Sequence, residues 1–153
     1  AQRFGLILMP CNTLSTLSAQ ERERVFACVR VHLRAGGVFA ASLPNPLVMR
    51  AMPRRGEEEI EETLEHPETG GPLQVSSSWL RSKETFTVTW YYDHLRPDGL
   101  VERLSARVRH DLSPLEAYQR ELEAAGLRVQ AVYGDFDKSA YGEEAENLIL
   151  LAG

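Results

Sequence analysis

The feature that most constrains this chain is a strand–helix–strand pattern near its start. Residues 4–9 (FGLILM) form an apolar run without alternation, which is typical of a strand buried on both faces. Ser18 and Glu21 then have the spacing of a capping box, which predicts the start of a helix. Residues 38–43 (VFAASL) form a second apolar run. The pattern predicts a βαβ unit over residues 1–46, and a crossover of this kind joins parallel strands.

The connecting helix is predicted from its apolar stripe and its stop signal. Val25, Val29 and Leu33 recur every four residues, as on the buried side of an amphipathic helix. We expect Gly36 and Gly37 to end the helix, because glycine accepts left-handed backbone geometry without a steric penalty.

An acidic segment follows the βαβ unit. Residues 57–68 contain seven glutamates and neither lysine nor arginine, and prolines and glycines follow. Like charges repel, and glycine and proline interrupt regular structure. We therefore interpret residues 47–72 as an acidic helix or loop that acts as a linker.

The hydrophobic period changes to two after this segment. Phe86, Val88, Trp90 and Tyr92 alternate with polar residues, and the sequence Arg-Pro-Asp-Gly at 96–99 predicts a turn. We expect an antiparallel meander of about three strands over residues 73–111, with one apolar and one polar face.

The last part of the chain predicts a helix and two strands over residues 113–153. Ser113 and Glu116 have capping-box spacing with Pro114 at the first helical position, and Gly126 is the expected end of the helix. Strands are expected at 127–133 and 147–151.

Composition excludes several classes of function. A chain of 153 residues is expected to form a single domain, 1–153, and its net charge of −5 disfavours nucleic acid and anionic membranes as partners. No apolar run approaches the ~20 residues that span a bilayer. Cys11 and Cys28 show no ligand spacing with the four histidines, so we expect no metal and two reduced thiols in a cytoplasmic protein.

Three segments together resemble the second half of a class I S-adenosylmethionine-dependent methyltransferase. They are the run 4–8, the loop 12–17 (NTLSTL) and the helix-to-strand junction 32–39 (HLRAGGVF), in which Ala35 replaces the proline usual in the family. The tail 121–137 is similar to the family's last helix and sixth strand, and 147–151 would be its antiparallel seventh strand.

The resemblance implies an α/β fold: the C-terminal half of a Rossmann-like methyltransferase sheet, with parallel strands, an antiparallel last strand and an inserted antiparallel β-meander. It implies transfer of a methyl group from S-adenosylmethionine to a nitrogen or oxygen of a small molecule. The family's glycine-rich turn is absent, because no G-x-G occurs in the sequence. We therefore interpret the chain as the acceptor side and one wall of the cofactor site, to be completed by an N-terminal half or a partner.

Site residues follow from this resemblance. Asn12 is the candidate catalytic residue, because its amide can both donate to and accept from a nucleophile, although it could equally cap a turn. Pro10, Cys11 and Leu17 are candidates for cofactor binding, with a hydrophobic staple before Ser18 as the alternative role for Leu17.

Substrate-binding candidates are drawn from the meander and from the end of the sixth strand. Tyr91 faces away from the apolar side, and Arg107 belongs to a row of arginines that could bind an acidic acceptor, or could simply be solvated. Tyr133, Asp135 and Phe136 could line the mouth of the pocket. His94 and His110 are possible general bases, with solvated histidine as the simpler interpretation.

A second class of function remains open. An apolar first strand with few flanking elements leaves an edge that something should cover. Two copies could pair the strands 4–9 across a two-fold axis, which would make the chain a homodimer and, without cofactor, a non-catalytic interaction domain.

Overall fold

A computed structural model describes residues 2–153, which form two compact units where a single domain was expected. One unit contains the chain up to Met52 and His110–Gly153, and the other contains Pro53–Arg109. The elements, in chain order, are β1 Phe4–Met9, α1 Thr13–Thr16, α2 Ala19–His32, β2 Leu33–Pro44, α3 Pro46–Ala51, β3 Arg55–Glu65, β4 Pro72–Arg81, β5 Thr85–Leu95, β6 Val101–Asp111, α4 Leu115–Ala124, β7 Val129–Tyr133 and β8 Asn147–Ala152.

The first unit is built on a four-stranded sheet with the order β1-β2-β8-β7. β1 and β2 are parallel, whereas β8 is antiparallel to both β2 and β7. This arrangement confirms the predicted fold class: parallel strands completed by an antiparallel last strand. β1 lies at the edge of the sheet, with β2 as its one neighbour.

The core of this unit lies between one face of the sheet and the helices α2 and α4. Phe39, Leu43, Leu148 and Leu150 point from the sheet into a cluster that also contains Phe26 of α2. The opposite side of β1 is different, because Phe4, Leu6 and Leu8 are 43%, 54% and 61% exposed. A strand expected to be buried on both faces is therefore covered on one face by the described residues.

The structure confirms the predicted start of α2 and the predicted end of α4, but not the predicted capping box of α4. The capping box at Ser18 and Glu21 is present, and Gly126 has a φ of 75° beyond the end of α4, as a left-handed cap requires. The expected capping box at Ser113 is wrong: α4 begins after Pro114 without a side-chain cap, and the Ser113 amide donates instead to the Asp111 carboxylate.

The end predicted for α2 is also wrong. The helix ends at His32, and Leu33 is already extended, so that Gly36, with a φ of 69°, lies within β2 rather than at a helix terminus. Leu33 pairs with Phe4 of β1 directly after the helix, and the ladder resumes at Val38 opposite Leu6, so Gly36 lies in the irregular stretch between these two pairs.

The second unit is a sheet with the order β3-β4-β5-β6, and the predicted meander is β4 to β6. The interpretation of residues 47–72 as a helix or loop linker is wrong for its central part, since β3 spans Arg55–Glu65 and pairs antiparallel with β4. Hydrogen bonds from Ser76 to Glu58 and from Ser77 to Glu61 hold part of the acidic row. The remaining glutamates of β3 face solvent, so their repulsion is screened.

A buried arginine joins the two main helices of the first unit. Arg22 of α2 is 1% exposed, and its Nε and Nη2 donate to the two carboxylate oxygens of Glu121 on α4 at 2.7 Å each. Its Nη1 donates to the Leu17 carbonyl, and the guanidinium lies 4.9 Å from the ring centre of Tyr118. The carboxylates of Glu121 and Asp111 raise the pKa of Arg22 against the opposing effect of burial, and burial raises the pKa of Tyr118.

Glu121→Ala is expected to lower the free energy of unfolding by about 2–3 kcal/mol, because it leaves the buried Arg22 charge with only the more distant Asp111. Urea denaturation monitored by circular dichroism measures this change. The matched control is Glu123→Ala, which removes an exposed carboxylate from the same helix and should change stability by less than about 0.5 kcal/mol. Equal effects of the two variants would contradict the role given to the buried pair.

Candidate functional site

The loops that follow β1, β2 and β7 lie at one end of the first sheet. β1 and β2 are parallel, and β7 runs in the same direction because both β2 and β7 are antiparallel to β8. In open α/β sheets, ligands bind outside the carboxyl ends of such strands. This end of the sheet is therefore the candidate functional site of the first unit.

The loop after β1 has an unusual backbone. Cys11 and Asn12 have φ values of 57° and 59°, so two consecutive non-glycine residues are in the left-handed region. Each such residue is disfavoured by about 1 kcal/mol or more, and strain of this kind clusters at functional sites. Asn12 tolerates the conformation better than Cys11, since asparagine is enriched there.

Asn12 occupies the N-cap position of α1, but its side chain makes no capping hydrogen bond. Its carbonyl accepts from the backbone amide of Ser15 at 3.2 Å and from the Ser15 hydroxyl at 2.7 Å. Within residues 2–153, the half-buried side-chain amide of Asn12 has no hydrogen-bond partner. The structure therefore does not support the alternative in which this side chain caps a turn.

A serine–histidine pair lies beside this loop. Ser15 is 2% exposed, and its Oγ is 2.8 Å from Nδ1 of His110. When the Ser15 hydroxyl donates to the Asn12 carbonyl, its oxygen accepts from Nδ1–H of His110, and Nε2 is then the basic nitrogen of the ring. Burial lowers the pKa of His110 below its usual value of 6.5, which favours this neutral form.

Asn45, which directly follows β2, binds the loop after β7 through hydrogen bonds. It is 1% exposed, and its Nδ2 donates to the carbonyls of Gly142 and Ala145 at 2.7 Å each, while its Oδ1 accepts from the Leu47 amide. In the sequence Asn45 stands between two prolines, a pattern that indicates only the end of a strand. Its role depends on the long loop 134–146, which sequence periodicity does not reveal.

The residues predicted to bind the cofactor, Pro10, Cys11 and Leu17, lie in the loop after β1 or shortly after it. The Pro10 carbonyl accepts from the amide and hydroxyl of Thr13, and Cys11 is exposed as a free thiol. Leu17 is partly buried against the core cluster. The expected staple has no apolar partner at the fourth helical position, which is Arg22, and the Leu17 carbonyl binds that guanidinium instead.

The predicted residues at the end of β7 lie at the same end of the sheet as Asn12. Tyr133 is half-buried and ends β7, and Phe136 is 75% exposed. The Asp135 carboxylate accepts from the Phe136 amide and from the Asn147 side chain, as a turn aspartate does. Their assignment to substrate binding stays a prediction.

Tyr91 and Arg107 lie in the second unit and border one pocket of about 670 Å³. Tyr91 is held by Arg103, whose guanidinium lies 4.7 Å from the ring centre, and its hydroxyl is 3.3 Å from the Ser78 hydroxyl. Arg103 is itself neutralised by Asp93 and Glu58, which also hold its pKa above the usual value. The structure thus brings together two residues that the sequence placed on one face of the meander.

Residues 2–153 contain neither a helix that could span a membrane nor a cluster of side chains that could bind a metal ion. Among them, no helix is long and apolar enough to cross a membrane. The same part of the chain holds no group of three or more histidine, cysteine, aspartate or glutamate side chains that could bind a metal ion.

The fold is that of S-adenosylmethionine-dependent methyltransferases, over part of their length. An enzyme of this class from Clostridium acetobutylicum matches 99% of this chain with a TM-score of 0.81 and 12% identity, but the match covers 58% of that enzyme. A sugar N-methyltransferase from a Streptoalloteichus species (TM-score 0.73, 18% identity) matches 97% of this chain and 56% of its own.

An S-adenosylmethionine-bound amino pentose methyltransferase from Micromonospora echinaspora, which is involved in calicheamicin biosynthesis, has a TM-score of 0.70 and 16% identity. It covers 99% of this chain and 58% of its own. No protein-family model and no curated protein sequence matches this chain. The chain therefore spans somewhat more than half of the structures it matches, and the methyltransferase resemblance is confirmed for the fold.

The His110 site predicts a pH dependence with a definite sign. Because burial lowers the pKa of His110, the unfolded chain binds its proton first as pH falls through about 6.5. Stability contributed by neutral His110 is therefore complete above that pH and is lost on acidification toward the lower folded-state pKa. Nuclear magnetic resonance titration of the imidazole should give a midpoint below 6.5, and a midpoint at or above this value would contradict the burial argument.

His110→Gln should flatten the slope of melting temperature against pH between about 6.5 and the measured midpoint. His32→Gln is the matched control, because the Nδ1 of His32 contacts the backbone carbonyl of Gln2 and not a buried side chain.

Proposed function

We propose that this chain forms the acceptor side of an S-adenosylmethionine-dependent methyltransferase that methylates a nitrogen or oxygen of a small molecule. The observation that carries the proposal is the coincidence of two features. The fold matches such enzymes over nearly the whole chain, and the carboxyl end of β1 presents strained backbone with an unpartnered amide. Since the chain spans 58% of the first of these enzymes, the activity of a whole enzyme belongs to this proposal.

The residues present fit one side of a cofactor site. Pro10 and Cys11 are exposed in the loop after β1, and the backbone is left-handed at Cys11 and Asn12. The sequence contains no glycine-rich turn that could approach the cofactor from the other side. When bound, S-adenosylmethionine would supply an electrophilic methyl group on its sulfonium sulfur.

Asn12 is the residue that we assign to the acceptor. An amide offers a donor and an acceptor at once, so it can orient an amine or a hydroxyl for attack without changing its own charge. His110 is linked to the Asn12 carbonyl through Ser15, and its Nε2, which is the basic nitrogen in this arrangement, can take the proton released when the nucleophile gains a methyl group. Tyr133, Asp135 and Phe136 would then contribute the outer part of this end of the sheet.

The partners in this proposal are a small-molecule acceptor and a second copy of the chain, with neither nucleic acid nor membrane. The net charge of −5 opposes both of the latter. Both cysteines are free, which fits a reducing compartment, and we therefore propose a cytoplasmic location.

Calorimetric titration of the purified chain with S-adenosylhomocysteine, the product form of the cofactor, tests this function. We expect saturable binding and a rise in melting temperature, because a ligand that binds only the folded state stabilises it. Absence of both binding heat and thermal shift would overturn the proposal for this chain acting without another polypeptide.

A pair of neighbouring variants separates acceptor binding from cofactor binding. Asn12→Ala should leave the affinity for S-adenosylhomocysteine within about threefold and lower methyl transfer to a panel of small amines and alcohols by about 10²-fold. Thr16→Ala removes an exposed hydroxyl that donates to the Thr13 carbonyl in the same segment, and it should leave both quantities near the original values. Equal losses for both variants would point to a loop defect rather than to a role of the Asn12 amide.

A non-catalytic dimerisation domain is the second candidate function, and the exposed edge of β1 favours it. β1 has one strand neighbour, and Phe4, Leu6 and Leu8 expose apolar side chains on one side of it. Edges and apolar patches of this kind are normally covered, and two copies related by a two-fold axis would cover each other.

Leu8→Glu should convert a dimer to a monomer in sedimentation-velocity experiments, because the charge would be buried at the interface. Leu104→Glu is the control, since Leu104 is similarly exposed (67% against 61%) but lies in the second unit. A monomeric starting protein, or a Leu8→Glu variant that stays dimeric, would show that β1 does not form the interface.

A further inference from the structure

The pocket of the second unit is formed on the polar face of its sheet. In the pairing of β4 with β5, Leu80 lies opposite Thr87 and Ser78 lies opposite Thr89. These four residues, Tyr91 and two arginines of β6 border a cavity of about 670 Å³. A volume of this size is in the range of small-molecule sites.

The arginines on this face of β6 differ in their partners. Arg103 is neutralised by two carboxylates: it binds Asp93 at 2.6 Å and Glu58 at 2.9 Å. The side chains of Arg107 and Arg109, which lie further along the same face, form neither an ion pair nor a hydrogen bond within residues 2–153. Both are exposed, and both border the pocket.

The acidic residues at the pocket are already engaged. Glu57 lies 3.5 Å from Arg55, and both side chains are largely exposed. Glu58 accepts from Ser76 and from Arg103, and these contacts lower its pKa, so that it stays ionised. Arg107 and Arg109 are therefore the arginines of this pocket that lack a carboxylate partner among residues 2–153, in a chain whose net charge is −5.

We propose that this pocket binds a small molecule through a carboxylate group held by Arg107 and Arg109. A guanidinium donates two parallel hydrogen bonds to a carboxylate, and the hydroxyls of Ser78, Thr87 and Thr89 can bind further polar groups of the same molecule. Glu57 and Glu58 border the same cavity and would repel the concentrated charge of a phosphate dianion more strongly than the two separated charges of a dicarboxylate such as succinate.

The site lies within the second unit, so binding does not depend on methyl transfer. The inference is therefore independent of the proposed function of the first unit. The two can be tested separately, because one experiment uses a carboxylate and the other uses S-adenosylhomocysteine.

The experiment is a nuclear magnetic resonance titration of the full ¹⁵N-labelled chain with succinate. The indole signal of Trp79, which borders the pocket, should shift in a saturable manner, whereas that of Trp90, which does not border it, should stay in place. Inorganic phosphate and the neutral succinamide are titrated in parallel, and both should bind at least about tenfold more weakly than succinate.

Variants then assign the binding to the arginines. Arg107→Gln and Arg109→Gln should each weaken succinate binding by about tenfold or more. Arg107→Lys should keep only part of the original affinity, because lysine lacks the planar guanidinium fork. Arg120→Gln removes the same charge from an exposed position on α4 and should leave the affinity within about twofold. Circular dichroism confirms that each variant is folded.

Several outcomes would overturn the inference. If the Trp79 signal does not shift in a saturable manner with succinate, the pocket is not a binding site. If Arg107→Gln and Arg120→Gln weaken succinate binding equally, the binding comes from general electrostatic attraction. Phosphate that binds more tightly than succinate contradicts the assignment to a carboxylate. Loss of a dimer on Arg107→Glu, without any succinate binding, would show that a second copy of the chain occupies this face.

Discussion

The parallel pairing of β1 with β2 is the constraint on which the first unit depends. Parallel neighbours cannot be joined by a tight turn, so the chain must cross over, and α2 supplies the crossover. The helix covers one face of the sheet and brings Phe26 and Val29 into the core. Parallel strands are ordinarily covered on both faces, yet the other side of β1 exposes Leu6 and Leu8. The same pairing that organises the core thus creates an apolar surface that requires a cover.

The candidate site is fixed in place by core packing rather than by its own polar contacts. Leu14 and Ser15 are adjacent in the one-turn helix α1, and Leu14 is fully buried in the core cluster. Anchoring Leu14 holds Ser15 against His110 on one side and the Asn12 carbonyl on the other. The strain at Cys11 and Asn12 is maintained because the buried neighbours leave the loop no alternative path. Arg22 extends this linkage, since it binds the Leu17 carbonyl and the Glu121 carboxylate together.

Local signals predicted the first unit well because its elements are defined by local chemistry. The apolar runs of β1, β2 and β8, the capping box at Ser18 and the glycine at 126 all act within a few residues, and the structure has each of them. The strand β3 escaped prediction because its stability is not local. Its glutamates are tolerated through pairing with β4 and through hydrogen bonds from Ser76 and Ser77, residues that lie 16 to 18 positions away in sequence.

The site was predictable to a similar extent and for the same reason. Asn12 could be found because it lies in the loop after an apolar strand. Tyr91 and Arg107 could be placed on one face of the meander because side chains alternate with period two along a strand. Ser15 and His110 are 95 positions apart in sequence, and Asn45 and Ala145 are 100 positions apart. The local sequence around one residue therefore does not indicate its contact with the other.

The acidic strand has a consequence for the chemistry of the second unit. β3 is an edge strand, and its exposed glutamates oppose pairing with another edge, which limits aggregation. One of them, Glu58, is drawn to the polar face by Ser76 and Arg103. The pairing neutralises the arginine nearest to it and fixes Tyr91 under the guanidinium, but it does not reach Arg107 or Arg109. Of the three arginines on this face of β6, Arg103 therefore has a structural role, whereas Arg107 and Arg109 have no carboxylate partner and are available to bind an anionic ligand.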